Sequence, residues 1–129
     1  MKRLWVVTLM FATGLAFAQD AAKVPLKSPI KGYLVDMLCV RQRKSEGVKL
    51  GPAHTKMCLR MPNCVQSGYA VMTPDYQILK FDKSGTDKAM RMLEKSSQDK
   101  GFWVSVSGKI EGDEIKVSKI ELLKAPASD

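Results

Sequence analysis

Between Asp36 and Gly68 the chain runs for about thirty residues with no strand alternation and no long helical period, which is unusual inside a compact domain. Such a stretch holds one structure only if something besides a regular backbone ladder organises it. It contains all three cysteines of the chain, Cys39, Cys58 and Cys64, and its single histidine, His54. The spacing is Cys-x14-His-x3-Cys-x5-Cys, four soft or borderline donors with no spare residue of either type elsewhere. Within the stretch, Pro52 to Met61 suits a short helix, with Pro52 tolerated in its first turn and Pro62 ending it. On that helix His54 and Cys58 are four residues apart and share a face, and Cys64 falls just past its end.

The flanking sequence reads mainly as strands. Ile30 to Asp36 is β-branched and aromatic, with Ile30 and Leu34 on one face and Tyr33 and Val35 on the other. Ser67–Thr73 and Tyr76–Asp82 follow as strands joined by a tight turn at Pro74-Asp75. From Thr86 to Gln98 the spacing turns helical: Thr86 suits the cap, Ala89, Met90 and Leu93 form an apolar stripe, and Gly101 stops it. Phe102 to Ile110 alternates, and Gly112 carries a hairpin turn over 111–114. In the last strand, Ile115 to Leu123, the apolar phase moves from odd to even positions, which a bulge near Ser118 reconciles. The predicted class is mainly β with one core helix, an OB-fold-like five-stranded barrel with a long Cys/His insertion over 37–67 after its first strand.

Ahead of this domain, Lys2 and Arg3 precede an apolar run from Leu4 to Phe17, with small residues at Ala16 and Ala18. This is the pattern of a secretory signal peptide, shorter than a membrane span and cleaved after Ala18. The expected organisation is a signal peptide over 1–18, an exposed linker over 19–29, the domain over 30–123 and a disordered tail over 124–129. A periplasmic or secreted bacterial location follows, with no transmembrane segment in the mature chain. The formal charge of +8 falls to +6 once Lys2 and Arg3 leave with the leader. That balance permits weak binding to anionic surfaces but names no partner, since the lysines are scattered among acids.

Several residues together resemble a group of small secreted bacterial proteins of uncharacterised function. These are Gly32-Tyr-Leu-Val-Asp36-x-x-Cys39, His54-Thr-x-x-Cys58-x-x-Met61-Pro62-x-Cys64, Ser67-Gly68-Tyr69, Val104-x-Val106-Ser107-Gly108 and Ile115-x-Val117. The resemblance spans about Ile30 to Leu123. It implies export, an OB-like fold and the joint presence of Asp36, Cys39, His54, Cys58 and Cys64, and assigns no reaction.

Two chemistries suit the cluster. Three thiolates and an imidazole form a closed tetrahedral set of the kind that holds structural Zn²⁺, with Asp36 placed to orient the histidine from behind. Met37, Met57 and Met61 would tilt the site toward Cu(I) if they pointed inward. The alternative is a disulfide-stabilised binding module with one free or redox-active thiol, natural for an exported chain. By loop entropy a Cys39–Cys64 bridge contributes about 3.5 kcal/mol and a Cys58–Cys64 bridge about 2.4 kcal/mol. No nucleophile elbow, phosphate loop or Cys-x-x-Cys is present, so the reading is a non-catalytic binding domain. Tyr33, Tyr69 and Trp103 would form a ligand surface of the kind OB-folds offer single-stranded nucleic acid; export argues against that ligand.

Overall fold

The computed structural model of the protein describes residues 26–127. The leader assigned to 1–18 and most of the 19–29 linker lie outside the described residues. Five strands form a mixed sheet closed into a ring: β1 (Ile30–Asp36), β2 (Tyr69–Met72), β3 (Ile78–Phe81), β4 (Trp103–Glu111) and β5 (Glu114–Leu123). The order around the ring is β1-β2-β3-β5-β4, with β1 and β4 pairing antiparallel to close it. Only β3 and β5 run parallel, through Lys80↔Glu114 and Phe81↔Ile115. Among the described residues no helix is long and apolar enough to cross a membrane.

Strand β1 faces two cores, as its two apolar faces suggest. Ile30 and Leu34 point into the ring with Val71, Leu79, Phe102, Val104 and Ile115. Val35 points outward into a second cluster with Cys39, Val40, Leu50, Cys64 and Met72. The insertion therefore packs on the outside of the ring, against the strand from which it departs.

The expected bulge is present: Ser107 pairs with Lys119 and Gly108 with Val117, so Ser118 has no partner and the apolar phase flips across it. The hairpin glycine, Gly112, takes a φ of +62° as that turn demands.

The core helix starts earlier than its sequence pattern implied. It spans Lys83–Lys95, hereafter α5, and its cap is Asp82, whose Oδ1 accepts from the Gly85 amide at 3.0 Å. The same oxygen accepts from the Val117 amide of β5 at 3.1 Å, tying the cap to the ring. Thr86 sits one turn inside the helix instead, and its Oγ1 accepts from the Tyr69 amide at 3.2 Å. The helix ends at Ser96, five residues before Gly101.

The linker is not uniformly exposed at its end. Leu26 packs against the main core, and Ser28 Oγ accepts from the Gly108 amide at 3.1 Å.

Candidate metal centre

The insertion folds as a series of short helical pieces. These are α1 (Met37–Gln42), a 3-10 segment over Lys44–Lys49, α2 (Leu50–Ala53), α3 (Lys56–Leu59) and α4 (Pro62–Ser67). The single helix expected over Pro52–Met61 is broken at His54 and Thr55, which are both extended. The cause is a rung of backbone bonds to the segment before β4: Gly101 N donates to His54 O at 3.1 Å and Lys56 N to Asp99 O at 2.7 Å. Those bonds satisfy groups that a continuous helix would have used internally. His54 and Cys58 thus lie on different elements, and Cys64 lies inside α4 instead of beyond a helix end.

Each cysteine is nevertheless held in place. Asp36 caps α1, its Oδ1 accepting from the Cys39 amide at 2.8 Å. Thr55 caps α3, its Oγ1 accepting from the Cys58 amide at 3.1 Å. Ser67 Oγ donates to Cys64 O at 2.6 Å and accepts from the Leu38 amide at 3.1 Å, which ties α4 to α1. The sequence reading gave Thr55 no role and took Ser67 as the start of a strand, whereas Ser67 is the last residue of α4 and β2 begins at Tyr69. Thr55 is recognisable as a cap only once the helix is known to start at Lys56.

These anchors bring the three sulfurs of Cys39, Cys58 and Cys64 within 4.8 Å of one another. Cys39 Sγ lies 3.7 Å from Cys58 Sγ. Tetrahedral zinc with Zn–S bonds of about 2.3 Å requires sulfurs about 3.8 Å apart, whereas a disulfide requires about 2.05 Å. Cys39 and Cys64 are 6% and 3% exposed, and Cys58 is half-buried, so the cluster meets solvent at Cys58 alone.

A second group overlaps the first. Asp36, Cys39 and His54 also offer donor atoms within 4.8 Å of one another, and Cys39 belongs to both groups. Asp36 and His54 are wholly buried, and His54 Nε2 donates to Asp36 Oδ2 at 2.7 Å. Nδ1 is buried and among the described residues has no hydrogen-bond partner. Cys58 and Cys64 do not belong to this second group, so the expected set of three sulfurs and one imidazole is brought together only in part, with His54 meeting the sulfurs through Cys39.

Electrostatics disfavours ionisation of the two buried thiols, Cys39 and Cys64. Burial, then the nearby Asp36 carboxylate, pushes Cys39 well above the usual thiol range. The same two causes, in the same order, raise Cys64 to about 11. Burial pushes the Asp36 carboxyl up, but the bonds from His54 and the Cys39 amide together pull it below its ordinary value. A cation among the sulfurs reverses the balance for the thiols.

The methionines do not enclose the cluster. Met57 and Met61 are 80% and 51% exposed, and Met37 packs half-buried in the outer apolar cluster. Nor do the three aromatic residues form one surface. Tyr69 is fully buried in the main core, its hydroxyl donating to Leu59 O at 2.7 Å. Tyr33 and Trp103 remain as a half-buried edge-to-face pair with centroids 4.9 Å apart. Tyr69 was misread because a strand tyrosine carries no mark of which face its ring takes.

The protein thus has two overlapping groups, Cys39 with Cys58 and Cys64 and Cys39 with Asp36 and His54, each arranged so that a metal ion could be held. Comparison with protein-family models, with curated proteins and with solved structures gave no match.

Proposed function

We propose that the chain is an exported, non-catalytic OB-like domain in which Cys39, Cys58, Cys64 and His54 hold a thiophilic metal ion, Zn²⁺ or Cu(I). The metal organises the long insertion. The observation that carries this reading is the trio of Cys39, Cys58 and Cys64, whose sulfurs lie within 4.8 Å of one another, with the wholly buried His54 grouped with Cys39 and Asp36 beside it. Among the described residues His54 Nδ1 has no hydrogen-bond partner, and a buried polar atom left unpaired costs stability. The sulfur spacing fits the same ion, since 3.7 Å suits two ligands of one metal. Exposure of Met57 and Met61 removes two thioethers that would have favoured Cu(I), which leaves the sulfur and nitrogen set favouring Zn²⁺.

The ring order and the helix between β3 and β4 support the OB-like assignment, with the insertion occupying the first inter-strand connection. The Leu4–Phe17 run supports export.

A second reading is oxidation of the same sulfurs. The 3.7 Å contact makes Cys39–Cys58 a candidate bridge. Cys64 would then be the remaining thiol, and burial with its raised pKa would make it a poor nucleophile.

Mass spectrometry of the purified protein separates the two. The metal reading expects one bound ion under native conditions and three alkylatable cysteines after chelation. A chain lighter by two hydrogens, with one alkylatable cysteine and no metal, would overturn it. The His54→Ala variant adds a second check, because it should lower metal affinity by about 10-fold or more while leaving any bridge intact.

A further inference from the structure

Helix α5 carries a second constellation, remote in sequence from the cysteines. Its buried stripe of Gly85, Ala89 and Leu93 faces the ring. Beside that stripe, Lys88, Arg91, Met92 and Lys95 fall at i, i+3, i+4 and i+7 and share one face. With Lys119, Ile120 and Leu122 of β5 they line an open groove of about 570 Å³. Small-molecule sites occupy roughly 300–1,000 Å³.

The groove is apolar below and cationic at its rim. Met92, Ile120 and Leu122 are partly buried and pack against the main core. Among the described residues no carboxylate lines the groove. Lys119 reaches Glu121 at 2.6 Å, but Lys88 bonds only to Ser84 Oγ at 2.8 Å and Arg91 Nε to the Asp87 carbonyl at 3.3 Å. Among the described residues Lys88, Arg91 and Lys95 have no acidic partner. Like charges at helical spacing repel one another, and a bound anion relieves that repulsion.

We propose that this groove binds a single-chain anionic amphiphile, such as a long-chain carboxylate. Its acidic head sits among Lys88, Arg91 and Lys95, and its alkyl chain runs along Met92, Ile120 and Leu122. A volume suited to one molecule favours a free amphiphile over a bilayer, and the apolar floor favours it over a nucleic acid strand. The proposal is independent of the metal centre.

The test is an amide chemical-shift titration of the purified protein with dodecanoate below its micelle concentration. Octanoate, dodecyltrimethylammonium, phosphatidylglycerol vesicles and a single-stranded oligonucleotide are run in parallel. The expected result is saturable shifts centred on Arg91, Met92, Ile120 and Leu122. Dodecanoate should bind at least about 10-fold tighter than octanoate, since each added methylene gains burial. The Arg91→Glu/Lys95→Glu variant, altered only at exposed positions, should keep its fold by circular dichroism and lose at least about 10-fold in affinity. Shifts centred elsewhere, undiminished binding by that variant, or equal binding of the cationic amphiphile would overturn the proposal. So would binding seen only with vesicles or only with the oligonucleotide.

Discussion

Asp36 Oδ2 lies 2.7 Å from His54 Nε2, with both side chains wholly withdrawn from solvent and 18 residues apart in sequence. Asp36 is also the last residue of β1 and the cap of α1. One carboxylate therefore ends a ring strand, starts the insertion and fixes the imidazole beside Cys39.

Replacing that carboxylate should cost stability in a pH-dependent way. Burial pushes the Asp36 pKa up, and the His54 and Cys39 bonds more than offset it, so the folded value is depressed. A depressed carboxyl stabilises the fold above its unfolded pKa of about 3.9, and that contribution is lost as pH falls through the folded value. Asp36→Asn should cost about 1.5–3 kcal/mol at neutral pH, measured by urea unfolding of the metal-free protein. The difference from wild type should shrink as the pH drops below about 4; a constant difference would place the loss elsewhere.

The raised thiols give the opposite dependence at high pH. Cys64 moves from an ordinary value of 9.0 to about 11, through burial and then Asp36. A raised acid contributes stability that is fully present below the unfolded pKa and fades as pH rises through the folded one. The reduced, metal-free protein should accordingly lose stability between pH 9.0 and about 11. Cys64→Ala should flatten that slope whatever it does to stability at neutral pH. Metal binding should release protons, detectable as buffer-dependent heat in calorimetry.

Tyr69→Phe tests the contact between core and insertion. Its hydroxyl is a buried donor to the Leu59 carbonyl at the end of α3. Removing it leaves that carbonyl unpaired at a cost of about 1–3 kcal/mol. Hydrogen exchange should quicken in residues 56–60 well before it does in β4.

Gly51→Ala tests how tightly the insertion is seated. A Cβ at Gly51 would stand 2.5 Å from Tyr33 Cβ, in strand β1, so one of the two backbones must move. The expected loss is about 1–3 kcal/mol, seen as a lower thermal midpoint. An unchanged midpoint would mean that α2 is free to shift away from the ring.

Much of the ring could be read in the residues themselves. The two apolar faces of Ile30–Asp36 signalled a ring strand covered on its outer side, where the structure has a second core, and the phase change across Ser118 signalled the bulge. The start of α5 was misplaced because Asp82 and Thr86 both suit a cap. What selects Asp82 is its bond to Val117, 35 residues away and invisible to local pattern. The insertion was legible in its donors and not in its backbone. Helices of four to six residues are too short for a period to show, and the break at His54 depends on bonds to Asp99 and Gly101. Pairing by loop entropy pointed to bridges through Cys64, whereas the 3.7 Å contact joins Cys39 and Cys58.

The one parallel seam, β3 against β5, bears on how the chain assembles. Lys80 and Phe81 meet Glu114 and Ile115 only after α5 and the whole of β4 intervene. During synthesis the earlier strands must therefore wait as an unsealed sheet until the final hairpin emerges, and loop closure of that span delays the last step. Truncation before residue 114 should leave a species with an open edge, prone to pair with its own copies.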